Sequence, residues 1–150
     1  MRASSTKAVV GPSFDPVIRD GRLVWHALPA SLHTESLDLE DLVRGMVFSS
    51  RLSRQFGRRL PRDAKMTDVP AHTWVLPTVL KHAGVEFMHI GCNMGSSSPE
   101  VPPLFWWEGP DGSRVLTMYS HDYGTSLTPP GGWPYKAWLA LIHYIFEATP

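Results

Sequence analysis

Met66-Thr67-Asp68-Val69-Pro70-Ala71-His72-Thr73-Trp74 is the stretch on which the reading of this chain turns. A short apolar run, Ala64 to about Val69, ends in an acidic residue, a proline turn and then a histidine. The pattern Trp74-Val75-Leu76-Pro77-Thr78-Val79-Leu80 follows at once and has helical spacing. This order predicts a strand, a turn and a helix, with a carboxylate and an imidazole at the strand's carboxyl end. Ligands and metals bind along that edge of α/β sheets, because loops and helix N-termini converge there.

Working outward, the helix is expected to stop near His82-Ala83-Gly84, where glycine suits a left-handed cap. Val85-Glu86-Phe87-Met88-His89-Ile90 then reads as a second strand, so the unit is βαβ with parallel strands. Upstream, Ser36 or Asp38 is placed to cap a helix running to about Phe56. Its apolar positions Leu39, Leu42, Val43, Met46, Val47, Leu52 and Phe56 recur at three- and four-residue steps, and Gly57 is a natural stop. Arg22 to Leu28 is a strand candidate ended by Pro29, and residues 1–21 read as an irregular arm. Downstream, a Gly/Ser/Pro loop covers Gly91 to Pro103. Gly109-Pro110-Asp111-Gly112 joins Phe105 to Glu108 with Ser113 to Tyr119, a strong hairpin signal. A loop from Tyr123 to Gly132 leads to a last helix from Trp133 to about Phe146. The fold class is therefore α/β. Three or four strands do not close a barrel, which needs about 250 residues, so the chain is expected to be part of a domain.

Composition narrows the function classes. The 150 residues hold 43% hydrophobic and 19% charged residues, as in a globular domain with one core. Fourteen basic and fourteen acidic side chains cancel, which offers no electrostatic case for nucleic acid or an anionic membrane. The single cysteine, Cys92, precludes an intrachain disulfide. The apolar run from Ala137 to Phe146 is half the length of a membrane span, and no secretory h-region precedes Pro12. A soluble, cytoplasmic protein is the expectation. Six tryptophans are many for this length, and such rings stack on sugars as well as filling cores.

Asp68 is the leading chemical candidate. A carboxylate there serves equally as nucleophile, general base, metal ligand or N-cap of the next helix. His72 reads as a ligand contact, an orienter of Asp68, or a half-exposed first-turn residue. His33-Thr34-Glu35 either presents two polar side chains to one face of an extended segment or is a helix-entry loop with Glu35 near the positive helix end. His89 lies in an apolar strand, as a core histidine or as a contact near the Gly91-Cys92-Asn93 loop. Asp122, in His121-Asp122-Tyr123-Gly124, is either a second carboxylate or an Asx turn. Alternation sends Trp106 and Trp107 to opposite sheet faces, so at most one of them joins a sugar platform with Trp133. There is no phosphate loop, nucleophile elbow, dinucleotide fingerprint or zinc-ligand spacing.

Several segments together resemble the N-terminal catalytic domain of glycoside hydrolase family 38, the zinc-dependent α-mannosidases, in a microbial branch. They are Trp25-His26-Ala27-Leu28-Pro29, His33-Thr34-Glu35, Thr67 to Trp74, Gly84 to Asn93, Val101 to Val115, and Trp133 to Leu141. The resemblance implies a partial β/α barrel over residues 22–150, with the hairpin as an insertion. It implies Asp68 as the nucleophile and a zinc ligand, and Asp122 as the acid/base. His72, His89, Asn93 and Trp106 are then expected at the α-mannoside. Ala71 stands where the family usually has glycine. The family's His-x-Asp zinc ligands lie upstream of everything present here and its last histidine ligand lies downstream. An isolated chain of this kind is expected to be a fragment with little or no activity and an unassigned oligomeric state. The rival readings are a non-catalytic carbohydrate-binding or interaction fragment and a metal-dependent polysaccharide deacetylase-like barrel, whose His-x-x-x-His pair is absent.

Overall fold

A computed structural model describes residues 14–93, 95, 97, 99–120 and 123. Its centre is a four-stranded mixed sheet flanked by helices. The strands are β1 (Asp63–Thr67), β2 (Phe87–Gly91), β3 (Leu104–Glu108) and β4 (Arg114–Ser120), in the order β1-β2-β4-β3. The expected βαβ unit is present. β1 and β2 are parallel, from Asp63↔Phe87 to Thr67↔Gly91, and a helix, Leu76–His82, crosses between them.

The hairpin is built as the turn chemistry predicts, but it is continuous with the sheet. β4 pairs parallel with β2, and only β3 runs antiparallel, as an edge. Three strands therefore end on one rim, after Thr67, Gly91 and Ser120. The turn is closed by Gly112 N–H to the Gly109 carbonyl at 3.0 Å, with Gly112 at φ 81°. Asp111 then ties the turn to the crossover helix, accepting from Thr78 Oγ1 at 2.6 Å and pairing with His82 Nε2 at 3.0 Å. Bonds from Thr78, His82 and Ser113 hold its carboxyl well below the usual carboxylate range. Gly109 is needed for this approach, since a Cβ there would meet Thr78 Oγ1 and stand 2.9 Å from the Thr78 backbone nitrogen.

Elements before β1 depart from the sequence pattern in instructive ways. The irregular arm contains a short helix, α1 (Asp15–Arg19), started by Pro16 and anchored by buried Ile18. Arg22 to Leu28 is not a strand. Ala27 and Leu28 are both buried, which breaks alternation, and Trp25 turns away to donate to Ser53 Oγ at 3.0 Å. The segment only brushes the outer edge of β1, through Ala27 N–H to the Asp63 carbonyl and Thr67 N–H to Ser31 Oγ.

The long helix is two: α2 (Leu39–Gly45) and α3 (Val47–Phe56). Asp38 caps the first through the Asp41 N–H at 2.8 Å, and Gly57 at φ 65° ends the second. They part at Met46, whose N–H turns to the Val43 carbonyl at 3.3 Å, three residues back, while its own carbonyl accepts from the Ser50 N–H and from the Ser49 and Ser50 hydroxyls. Leu42, Met46 and Phe56 are buried as expected, whereas Leu39, Val43 and Val47 are exposed. The crossover helix, α4 (Leu76–His82), starts later than the pattern predicts. Thr73 N–H is drawn to Thr34 Oγ1 and Leu76 N–H to the Thr73 carbonyl, so residues 70–75 turn before the helix forms.

Registry divides the sheet faces. Ala64, Met66, Met88, Ile90, Val115 and Tyr119 share the face covered by Leu76, Val79 and Leu80 of α4 and by Leu42 and Met46 of α2. Phe87 and Met118 form a smaller apolar cluster on the other face, with Leu104 and Leu116 against it. No helix among the described residues is long and apolar enough to cross a membrane. Asp122 and the expected helix Trp133 to Phe146 lie outside the described residues.

Candidate functional site

The rim where β1, β2 and β4 end carries the candidate site. Asp68 follows β1 directly and has φ 59°, the one non-glycine residue with positive φ among those described. Its N–H donates to the Gly91 carbonyl at 3.1 Å, which extends the β1–β2 ladder by one bond and fixes the backbone. The side chain is exposed. Left-handed backbone is unusual for anything but glycine, though aspartate tolerates it better than most residues. Such conformations concentrate at functional sites.

Two side chains from the neighbouring strand ends orient that carboxylate. Asn93, just past β2, donates from Nδ2 to Asp68 Oδ1 at 3.3 Å. Its amide is oriented by a second bond, since Oδ1 accepts from the Gly95 N–H at 2.8 Å. Tyr123, past β4, hydrogen-bonds Asp68 through its hydroxyl. Its phenol is raised above the ordinary value by lost hydration, then by that bond, and by the charges of Asp68 and Cys92. Cys92 is half-buried between them, with its N–H on the Ser120 carbonyl at 3.0 Å. The N-cap alternative for Asp68 is not what forms: α4 begins at Leu76 with Val75 at its N-cap, and no side chain caps it.

His72 sits elsewhere. No hydrogen bond or ion pair joins it to Asp68 among the described residues. Its Nδ1 is 3.4 Å from Thr34 Oγ1, its ring lies 6.2 Å from that of Trp107, and Nε2 is sealed from solvent without a partner. Burial, and then the nearby His33, push its pKa down to about 4, so it is neutral at physiological pH. Thr34 organises this corner. It is buried, while His33 and Glu35 on either side are exposed; the segment is not extended but a 3-10 turn, Thr34–Ser36, at the helix entry.

His89 is buried in β2, on the face opposite Met88 and Ile90, with Nε2 2.6 Å from Ser120 Oγ. It cross-links two central strands as a core histidine. Trp106 is exposed, and Trp107 packs into the core, as alternation requires. The register puts Trp106 opposite Leu116, level with Phe87 and Asp63 at the amino end of the parallel strands. From there to the row of Ser120 is four residues, about 13 Å at about 3.3 Å each, with two strands between the edges. Trp106 and Asp68 therefore do not share one sugar subsite. Of the expected set, the structure brings together Asp68 and Asn93, and adds Tyr123, whose proximity nothing in the sequence signalled beyond its place in the loop after β4.

No three His, Cys, Asp or Glu side chains among the described residues come close enough together to hold a metal ion. Zinc usually takes three or four protein ligands, and Asp68 offers one. The described residues thus do not by themselves make a zinc site. No protein-family model matches the chain, and no curated protein matches it.

Proposed function

We propose that this chain carries the nucleophile-bearing part of a retaining α-mannosidase-like glycoside hydrolase, built on a segment of a β/α barrel in a soluble, cytoplasmic protein. The observation that carries the reading is the placement of Asp68. An exposed carboxylate stands in left-handed backbone at the carboxyl rim of three parallel strands, oriented by Asn93 and Tyr123 and unused as a helix cap.

In this reading the Asp68 carboxylate attacks the anomeric carbon, and a second, protonated carboxyl gives its proton to the leaving oxygen. Retaining pairs stand about 5–5.5 Å apart. Asp122, which follows β4 in the sequence and lies outside the described residues, is the proposed acid. Asn93 and Tyr123 hold Asp68 in one rotamer, which shortens the search for the attack geometry. Zinc belongs to the proposal through the resemblance, with its other ligands supplied by residues beyond those described. The chain alone is accordingly proposed to bind sugar weakly and to turn over little or no α-mannoside.

Titration with methyl α-mannoside, followed by amide and side-chain NMR, tests this. The expected result is saturable shifts centred on Asp68, Asn93 and Tyr123, absent with the β-anomer. No shifts, or shifts centred away from the rim, would overturn the reading. Zinc-dependent hydrolysis of an aryl α-mannoside that Asp68→Asn abolishes would keep the chemistry and overturn the inert-fragment part.

A further inference from the structure

A concavity with a mostly apolar lining and a few polar groups lies beside the outer edge of β1, apart from the Asp68 rim. It is a groove of about 980 Å³ lined by Val24, Trp25, His26, Arg58, Asp63 and Lys65, among others. Asp63 begins β1, four residues before Thr67, and Lys65 follows on the same sheet face. The groove thus runs from about 7 Å to about 13 Å along the strand from the rim, on the face opposite Met66.

Its polar groups are poorly matched to one another. Neither Asp63 nor Lys65 forms an ion pair among the described residues, although both are only partly exposed. His26 Nδ1 is sealed from solvent without a hydrogen-bond partner. Burial, and then the Lys65 charge, hold the His26 imidazole below its ordinary pKa, which places the two groups close together. Arg58 reaches the Arg19 carbonyl with one nitrogen at 3.3 Å, and its guanidinium lies against Gly21 at the groove wall. Burial raises Asp63 to about 6, outweighing the bond its carboxyl takes from its own backbone N–H, with no cation paired to it. Buried polar groups are normally satisfied, and perturbed, unpaired ones gather where a ligand completes the set.

We infer that this groove binds a small hydroxylated anion, a polyol or sugar bearing a phosphate or carboxylate group. Lys65 and Arg58 meet the anionic group, and the neutral His26 ring forms part of the wall. Asp63 accepts from a hydroxyl of the ligand, which a bare inorganic anion does not offer. The volume is that of a small-molecule site rather than a single-ion site. Trp25, with Nε1 already committed to Ser53, supplies a fixed wall.

The test is NMR titration of the whole chain with glucose 6-phosphate, gluconate, glucose and inorganic phosphate, with the His26 imidazole as reporter. The two hydroxylated anions are expected to saturate it, and whichever binds tighter identifies the acidic group. Glucose and inorganic phosphate are expected to bind at least tenfold more weakly. Lys65→Met should weaken the preferred ligand about tenfold or more, and Asp68→Asn should leave it unchanged. If Lys65→Met does not fold, Arg58→Gln replaces it with the same expected loss. Binding that is absent, equal for phosphate and glucose 6-phosphate, or insensitive to both variants overturns the inference.

Discussion

Replacing Asp63 by asparagine should expose a pH dependence that the wild-type chain conceals. Two partly buried groups titrate against each other in one window. His72 falls from 6.5 to about 4 on folding, mainly through burial, so the unfolded chain binds more protons between those values. Its contribution is full above pH 6.5 and is lost as pH falls toward 4. Asp63 moves the other way, from 3.8 to about 6, so the folded chain binds the extra proton. Stability from this group is full below pH 3.8 and is lost as pH rises through 6. At about 1.4 kcal/mol for each pH unit of displacement, each effect is worth at most about 3 kcal/mol, and their slopes have opposite sign. The wild type should therefore keep only the shallow rise with pH that the lowered His26 leaves uncancelled. Asp63→Asn removes the falling limb, so the variant should gain stability at pH 7 and lose up to about 3 kcal/mol on acidification to pH 4. Lowered His26 adds to that slope in the same direction. Urea denaturation at half-unit pH steps measures it. A steep wild-type profile, or a flat one for Asp63→Asn, would refute the burial assigned to these two groups.

Two further substitutions test how the fold is held. Gly109→Ala should cost about 1–3 kcal/mol in thermal or urea denaturation, because its Cβ meets Thr78, and Thr78→Ala should rescue it only in part since the backbone nitrogen at 2.9 Å remains. Thr34→Val removes the hydroxyl that accepts from Thr73 N–H and faces His72, and should cost about 1–3 kcal/mol, whereas Thr34→Ser should keep most of the stability.

Local rules carried far in this chain. The βαβ unit, the hairpin with Gly112 in left-handed backbone, the Asp38 cap and the Gly57 stop each follow from residues within one turn or one loop. What failed depended on partners distant in sequence. Arg22 to Leu28 alternates well enough for a strand, but Trp25 finds Ser53 on α3 and the segment leaves the ladder. The helical pattern breaks at Met46, whose N–H turns to the Val43 carbonyl where Ser49 reaches back to the distant Ala27 carbonyl. The site was legible at Asp68, whose place at a strand end is set by its own neighbours. Asn93 and Tyr123 join it only because β2 and β4 end on the same rim, which a pattern along one strand does not disclose. His72 is half-buried, as one of its sequence readings had it, but Thr34, far upstream, holds it beside Trp107 rather than at Asp68.

Asp68→Gly tests the central claim most directly, with urea denaturation and methyl α-mannoside titration on the same samples. Glycine accepts φ 59° without strain, while its freer unfolded chain costs about 0.4–1 kcal/mol and the exposed bonds to Asn93 and Tyr123 contribute little. The account predicts stability within about 1 kcal/mol of the wild type and loss of the anomer-specific shifts at Asn93 and Tyr123. A loss of several kcal/mol with sugar binding intact would contradict it, because Asp68 would then be holding the turn together rather than waiting for a ligand.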